Sequence, residues 1–145
     1  MGVRRRSREM AMQALYFMDV RKTYTDEKIA RFCDTFQPSK RIKPLFLRLI
    51  NGVIANMKDI DDTIERFSKN WQISRMSYVD RNIIRIGVFE MIYCPDIPPK
   101  VSINEAVDVG KKFGTEESGS FINGIMDSIH LAIEKEELDV IKERL

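Results

Sequence analysis

The residues of greatest chemical consequence stand at the front of the chain, where Arg4, Arg5, Arg6 and Arg8 fall within five positions. Guanidinium groups grip phosphate through paired donors and stack on nucleobases, which lysine does less well. The apolar stripe Met10, Ala11, Ala14, Leu15 and Met18 makes this region the opening of a helix. Cations at the positive end of a helix dipole are unfavourable by roughly a few tenths of a kcal/mol each. Only Glu9 relieves them, so the cluster reads as an anion-binding arm rather than a solubilising tail. Four phosphate contacts to a single strand would give a salt slope near −3, about a 50-fold loss of affinity between 50 and 200 mM salt.

Phosphate contacts attract without choosing a sequence; choice needs aromatic faces and hydrogen-bond acceptors for base edges. Tyr16 lies on the same helix as the arginines, off its apolar stripe. Phe113 and Phe121 flank the Gly114–Ser120 turn, which is dense in hydroxyl and carboxylate acceptors.

Catalytic signals are weak by comparison. His130, the only histidine, sits among apolar residues and reads as a satisfied or surface group. No His, Cys and Asp cluster has metal-ligand spacing. Gly110, Gly114, Gly119 and Gly124 lack the sequence context of a phosphate loop; Gly114 reads as a helix stop and Gly124 as a close helix contact. Asp61-Asp62 reads as a solvated helix face. These features predict a binding protein, not an enzyme, with no metal site and no cofactor.

Composition is consistent with that reading. A chain of 145 residues, 43% hydrophobic and 32% charged, can fold without disulfides or metals. Cys33 and Cys94 form no CxxC, which predicts a reduced, cytoplasmic setting. The arginine-led start carries Gln13 and Asp19 in and after its apolar run, unlike an export signal, and no stretch reaches the roughly 20 apolar residues of a membrane span. The net charge of +2 hides an asymmetry. Residues 1–48 hold twelve Lys and Arg against five Asp and Glu, and the rest of the chain holds twelve against seventeen. A basic front and an acidic rear suit two partners of opposite charge.

The elements that must carry these groups are helical throughout. Ile29, Phe32, Cys33 and Phe36 make a second stripe stopped by Pro38, and Pro44 opens a third helix along Phe46, Leu49, Ile50, Val53 and Met57. A break near Lys58-Asp59 precedes a fourth stripe, Ile60, Ile64, Phe67 and Trp71. Ser77 to Asp80 has capping-box spacing, and the fifth helix behind it is nearly apolar all round from Ile83 to Ile92, as a central buried helix would be. A second capping box, Ser102 to Glu105, opens a helix ending at Gly114. A last helix begins near Thr115–Ser118. The expected fold is all-α, about seven helices in two packed bundles forming one domain over residues 1–145. The internal division is expected near residues 70–76, with bundles at 1–70 and 77–135 and a frayed tail at 136–145.

Taken together, these segments resemble the NusB family of bacterial transcription antitermination factors. The resemblance rests on Arg4 to Glu9 with Gln13-Ala14-Leu15-Tyr16, then Trp71, Arg75-Met76, Val79-Asp80-Arg81, Ile84-Arg85 and Glu90. It continues through Pro98, Val101, Ile103-Asn104-Glu105-Ala106, Lys112-Phe113-Gly114, Ser118, Phe121, Asn123-Gly124 and Asp127. Residues 22–70 match only in helical pattern. The resemblance implies a seven-helix fold, no enzymatic activity and no cofactor. It further implies binding to the single-stranded boxA element of ribosomal RNA transcripts, jointly with NusE, a small-subunit ribosomal protein, in an RNA polymerase antitermination complex.

By motif position, Arg4, Arg5, Arg6, Arg8 and Tyr16 would contact RNA, with Phe113, Glu117, Ser118 and Phe121 on the same surface. Asp80 would lie at the boundary between RNA and NusE. Ser7 and Glu117 depart from the alanine and aspartate expected of the family. The charge map adds a partner face on the acidic rear: Asp59, Asp62 and Glu65 on the fourth helix, with Asp80 and Glu90 on the fifth. Two other readings stay open, a substrate-binding NusB-like domain of a ribosomal RNA cytosine methyltransferase and a helical protein-interaction module. Self-association into a homodimer also stays open.

Overall fold

A computed structural model describes residues 2–69 and 71–140; Asn70, at the expected division, and residues 141–145 of the expected frayed tail lie outside them. The described residues form seven α-helices and no strand. They are α1 (Val3–Arg21), α2 (Asp26–Phe36), α3 (Lys43–Ala55), α4 (Met57–Phe67), α5 (Tyr78–Tyr93), α6 (Pro99–Phe113) and α7 (Ser118–Glu134), with a 3-10 turn at Ile73–Arg75 before α5.

The fifth helix organises the rest. It packs against α1, α3, α4, α6 and α7, and every residue from Arg81 to Ile92 is buried. The Ser77 hydroxyl accepts from the Asp80 amide at 3.0 Å, the cap its spacing predicts. Close approach depends on small residues. A Cβ at Gly52 would run into the Phe89 ring, and one at Gly110 would lie 2.5 Å from Ile122 Cδ1. Gly124, expected at such a contact, faces open space instead.

The buried charges on α5, Arg81, Arg85 and Glu90, are paired inside the fold. Arg81 forks onto Asp19 of α1 at 2.6 and 2.7 Å. Arg85 bridges Asp19 and Asp61, donating to Asp61 at 2.8 and 2.9 Å. Asp61 is therefore a half-buried partner and not part of a solvated face. Burial raises the Asp19 carboxyl, but hydrogen bonds from Arg81 and Asn82 and the charges of Arg85 and Arg81 outweigh it and hold the group below its ordinary value.

Three local expectations are corrected. The break between α3 and α4 falls at Asn56, not Lys58-Asp59; its φ of −120° interrupts the helix while its Nδ2 donates to Gly52 O. Helix α6 starts at Pro99, whose fixed φ suits a first helical turn, and the buried Ser102 hydroxyl lies inside the helix, donating to the Glu90 carboxylate at 2.6 Å and capping nothing. Trp71 is not part of the α4 stripe: the helix ends at Phe67 and the indole is 49% exposed.

Candidate nucleic-acid interface

The arginine cluster is not a loose arm. Helix α1 is formed from Val3 onward, with no side-chain cap and no acidic residue in its first turn. Successive side chains on an α-helix turn by about 100°, so Arg4, Arg5 and Arg6 point in three directions and Arg8 returns to within about 40° of Arg4. Arg8 is 4% exposed and forks onto Glu90, 1% exposed, at 2.7 and 3.0 Å. This corrects the expected surface positions of both: Arg8 reaches no free surface and Glu90 presents no charge to a partner. Arg5 forks onto Glu105 at 2.8 and 2.7 Å and reaches Asp108 at 2.9 Å. Those hydrogen bonds hold the Glu105 carboxyl below its ordinary value. Arg4 and Arg6 remain exposed.

Arg6, Glu9, Gln13 and Tyr16 recur at helical spacing and form one stripe, roughly 15 Å long at 1.5 Å per residue. Arg6 donates to the buried Glu9 carboxylate at 3.2 Å, which also accepts from Lys112 Nζ at 3.1 Å. Lys112 in turn lies 5.3 Å from the centre of the Phe113 ring. Tyr16 packs edge-on against Tyr78 at 5.9 Å, whose ring carries the Arg81 guanidinium at 4.4 Å. Gln13 Oε1 is buried and accepts no hydrogen bond from the described residues.

The stripe leads to a groove of about 340 Å³ between the start of α5 and the α6–α7 turn, lined by Trp71, Arg75, Asp80, Thr115, Glu117 and Phe121 among others. Trp71 and Phe121 meet edge-to-face, ring centres 5.6 Å apart. Asp80 Oδ1 is buried without a hydrogen-bond partner among the described residues. A buried unsatisfied acceptor costs about 1–3 kcal/mol, so it is tolerated where a ligand supplies the donor. Ser118, expected on this surface, is buried: its Oγ accepts from the Thr115 amide at 2.9 Å and so shapes the turn that presents Glu117 and Phe121.

The acidic rear divides similarly. Asp59 and Asp62 are exposed, Asp62 paired with Lys58 at 3.0 Å. Glu65 Oε2 accepts from the Ile73 amide at 2.8 Å, pinning the 3-10 turn whose Arg75 lines the groove, and Ser68 Oγ donates to Trp71 O at 2.6 Å just before it. Among the described residues no group of His, Cys, Asp or Glu could hold a metal ion, and no helix is long and apolar enough to cross a membrane.

Sequence reasoning did not single out Trp71, Arg75, Gln13 or Lys112 for this candidate surface.

The family model for the NusB family matches residues 5–131. The chain belongs to the NusB family. It is 52% identical over 137 residues to the transcription antitermination protein NusB of Desulfatibacillum aliphaticivorans, covering 94% of this chain and 96% of that protein. It is 46% identical to the NusB protein of Myxococcus xanthus, covering 93% and 99%. Among solved structures it resembles T. maritima NusB, with a TM-score of 0.78, 35% identity and 95% and 99% coverage. It also resembles a chain from the crystal structure of the antitermination factors NusB and NusE in complex with dsRNA, with a TM-score of 0.81, 28% identity and 91% and 98% coverage. These relatives are antitermination proteins, and this NusB-family chain is not an enzyme.

Proposed function

We propose that the protein is a transcription antitermination factor that binds a boxA-type single strand of ribosomal RNA transcripts, jointly with a NusE-type ribosomal protein. The observation that carries this reading is the unpartnered Asp80 Oδ1 in a groove walled by Trp71 and Phe121. Aromatic walls offer faces to unstacked bases, and a carboxylate accepts from base amino groups; that combination reads a single strand. Gln13 Oε1 is a second vacant acceptor, on the stripe that leads to the groove. Arg6, Lys112 and Arg75 supply phosphate contacts around it, and Tyr16, Phe113 and Glu117 complete the surface.

Arg5, Arg8 and Ser118 act through others, by fixing α1 and the α6–α7 turn. The partner face lies on the exposed carboxylates Asp59 and Asp62, reaching Asp80 at the edge of the RNA groove. The similar structure of NusB with NusE and dsRNA supports a joint surface of this kind.

Fluorescence anisotropy with boxA RNA, a scrambled RNA and the equivalent DNA, each with and without NusE, tests the reading. The boxA strand is expected to bind best, and NusE to tighten it. Trp71→Ala should cost about 1–3 kcal/mol, the value of one stacked base, or about 5- to 150-fold. Equal weak binding to all three nucleic acids, unaltered by NusE, would overturn it.

A further inference from the structure

Arg4 takes no part in the surface just described. It stands two residues before Arg6, about 200° around the helix, and so faces the opposite side of α1. There it lines a second open groove, of about 530 Å³, together with Val3, Ser7, Lys40, Arg41, Pro44, Leu45 and Arg48. The lining holds four cations, no carboxylate and no aromatic ring. Arg48 is neutralised by Asp96, donating to it at 2.9 and 2.6 Å. Arg4, Lys40 and Arg41 are exposed and make no ion pair among the described residues.

The groove is held in shape without help from a ligand. The buried Ser7 hydroxyl lies 2.9 Å from Val3 O and 3.1 Å from Ile42 O, stitching α1 to the turn before α3. That turn is closed by the Ile42 and Lys43 amides, both donating to Ser39 O at 3.1 and 2.9 Å, and it projects Lys40 and Arg41 outward. Asp96, paired to Arg48, also feels the charge of Arg4, but one carboxylate against four cations leaves a concave surface that favours an anion between them. Without aromatic faces the groove can hold phosphates but not stack bases.

We propose that this groove is a second phosphate-binding surface, which takes the sugar–phosphate backbone of the same RNA strand where it continues past the N-terminus of α1. The proposal rests on the RNA-binding reading above and adds a sequence-neutral track to it. Arg4 is the hinge between the two surfaces. Lys40 and Arg41 determine how long an RNA the protein covers, while the Trp71–Asp80 groove determines which RNA it takes.

The test is anisotropy on a ladder of RNAs, the core element alone and the same core extended at either end by uridines, between 50 and 200 mM salt. Wild-type protein should bind an extended RNA more tightly than the core. Lys40→Ala/Arg41→Ala should bind the core like wild type but lose the gain on extension. With two single-strand phosphate contacts removed, its salt slope on extended RNA should be shallower by about 1.4, about sevenfold over that salt range.

An extended RNA that gains nothing, or gains equally in the variant, overturns the track while leaving core binding and its reading intact. Failure of wild type to bind the core would overturn that earlier reading instead. Inorganic phosphate titrated alone, with the amide resonances of residues 39–43 as the probe, separates the other source of such a ligand. Saturable phosphate shifts without any gain on extension would mean a free-anion site and overturn the strand proposal.

Discussion

The Arg8–Glu90 pair offers the sharpest test of the division of labour within the arginine cluster. Both side chains are almost wholly buried, and Glu90 accepts from Arg8 Nε, Arg8 Nη2 and Ser102 Oγ at 2.7, 3.0 and 2.6 Å. Glu90→Ala leaves the guanidinium inside with only the long Arg8–Glu105 contact at 3.4 Å. Removing one member of a buried pair costs about 3–5 kcal/mol, because the other charge stays desolvated and uncompensated. At about 2–4 °C per kcal/mol for a chain of this size, the melting temperature should fall by about 6–20 °C. The double replacement Arg8→Met/Glu90→Leu removes both charges at once and should recover most of the loss, since apolar pairs often substitute for buried ion pairs at little cost.

Thermal melts and urea titrations followed by circular dichroism give the stabilities, and anisotropy at a temperature where every variant is folded gives the RNA affinity. A structural Arg8 predicts that the double variant binds RNA as wild type does. If Arg8→Ala melts within a couple of degrees of wild type yet loses RNA binding severalfold, the guanidinium leaves Glu90 for phosphate and the argument fails.

Acid should act through the α1–α5 network. The Asp19 carboxyl is held below its ordinary value of 3.8, so its contribution is complete above that value and lost as pH falls through its folded one. Stability measured from pH 7 down to 2 should therefore drop below about pH 4, and Asp19→Asn, though weaker at neutral pH, should show a shallower acid limb. Gly114→Ala places a Cβ against Ser118 Oγ and 2.9 Å from Gly110 O, displacing the hydroxyl that holds the α6–α7 turn. RNA affinity should suffer more than melting temperature, and a variant with normal binding would show that the turn's shape is unimportant. Asp80→Ala removes an unsatisfied buried acceptor, a gain of about 1–3 kcal/mol, and a favourable first-turn charge, a loss of about 0.3–1 kcal/mol. Stability should be kept or raised while discrimination between boxA and scrambled RNA falls; a marked destabilisation in urea titrations would mean Asp80 is structural.

The helices were legible in the sequence wherever one element's own spacing determines the outcome. The all-round apolar run of α5 and the Ser77 cap are of this kind. What escaped was decided by partners far along the chain. Ser102 has the spacing of a capping box, yet its hydroxyl answers Glu90, twelve residues earlier. Arg4 and Arg8 are one helical turn apart and alike in sequence; only the carboxylate 82 residues away separates the exposed one from the buried one. A clue to that pairing was available. Glu90 is the one acidic residue within a run predicted to be buried on every side, and such a carboxylate must be paired.

The physical logic of four arginines at the wrong end of a helix dipole is resolved by their separate fates. Arg8 and Arg5 reach Glu90 on α5 and Glu105 on α6, so α1 is anchored to the second half of the chain by charges that a loose arm would leave in water. That anchoring fixes the first turn of α1 from Val3, which in turn holds Arg4 and Arg6 on opposite faces of a rigid helix. A strand that meets them finds two pre-set cations rather than four mobile ones, and little side-chain or backbone freedom is lost on binding. The same four residues in a disordered arm would carry more phosphate attraction per unit of sequence and less geometry. Here half of the positive charge is held in the fold, and the other half stands on two faces, one proposed to read bases and the other to follow the backbone.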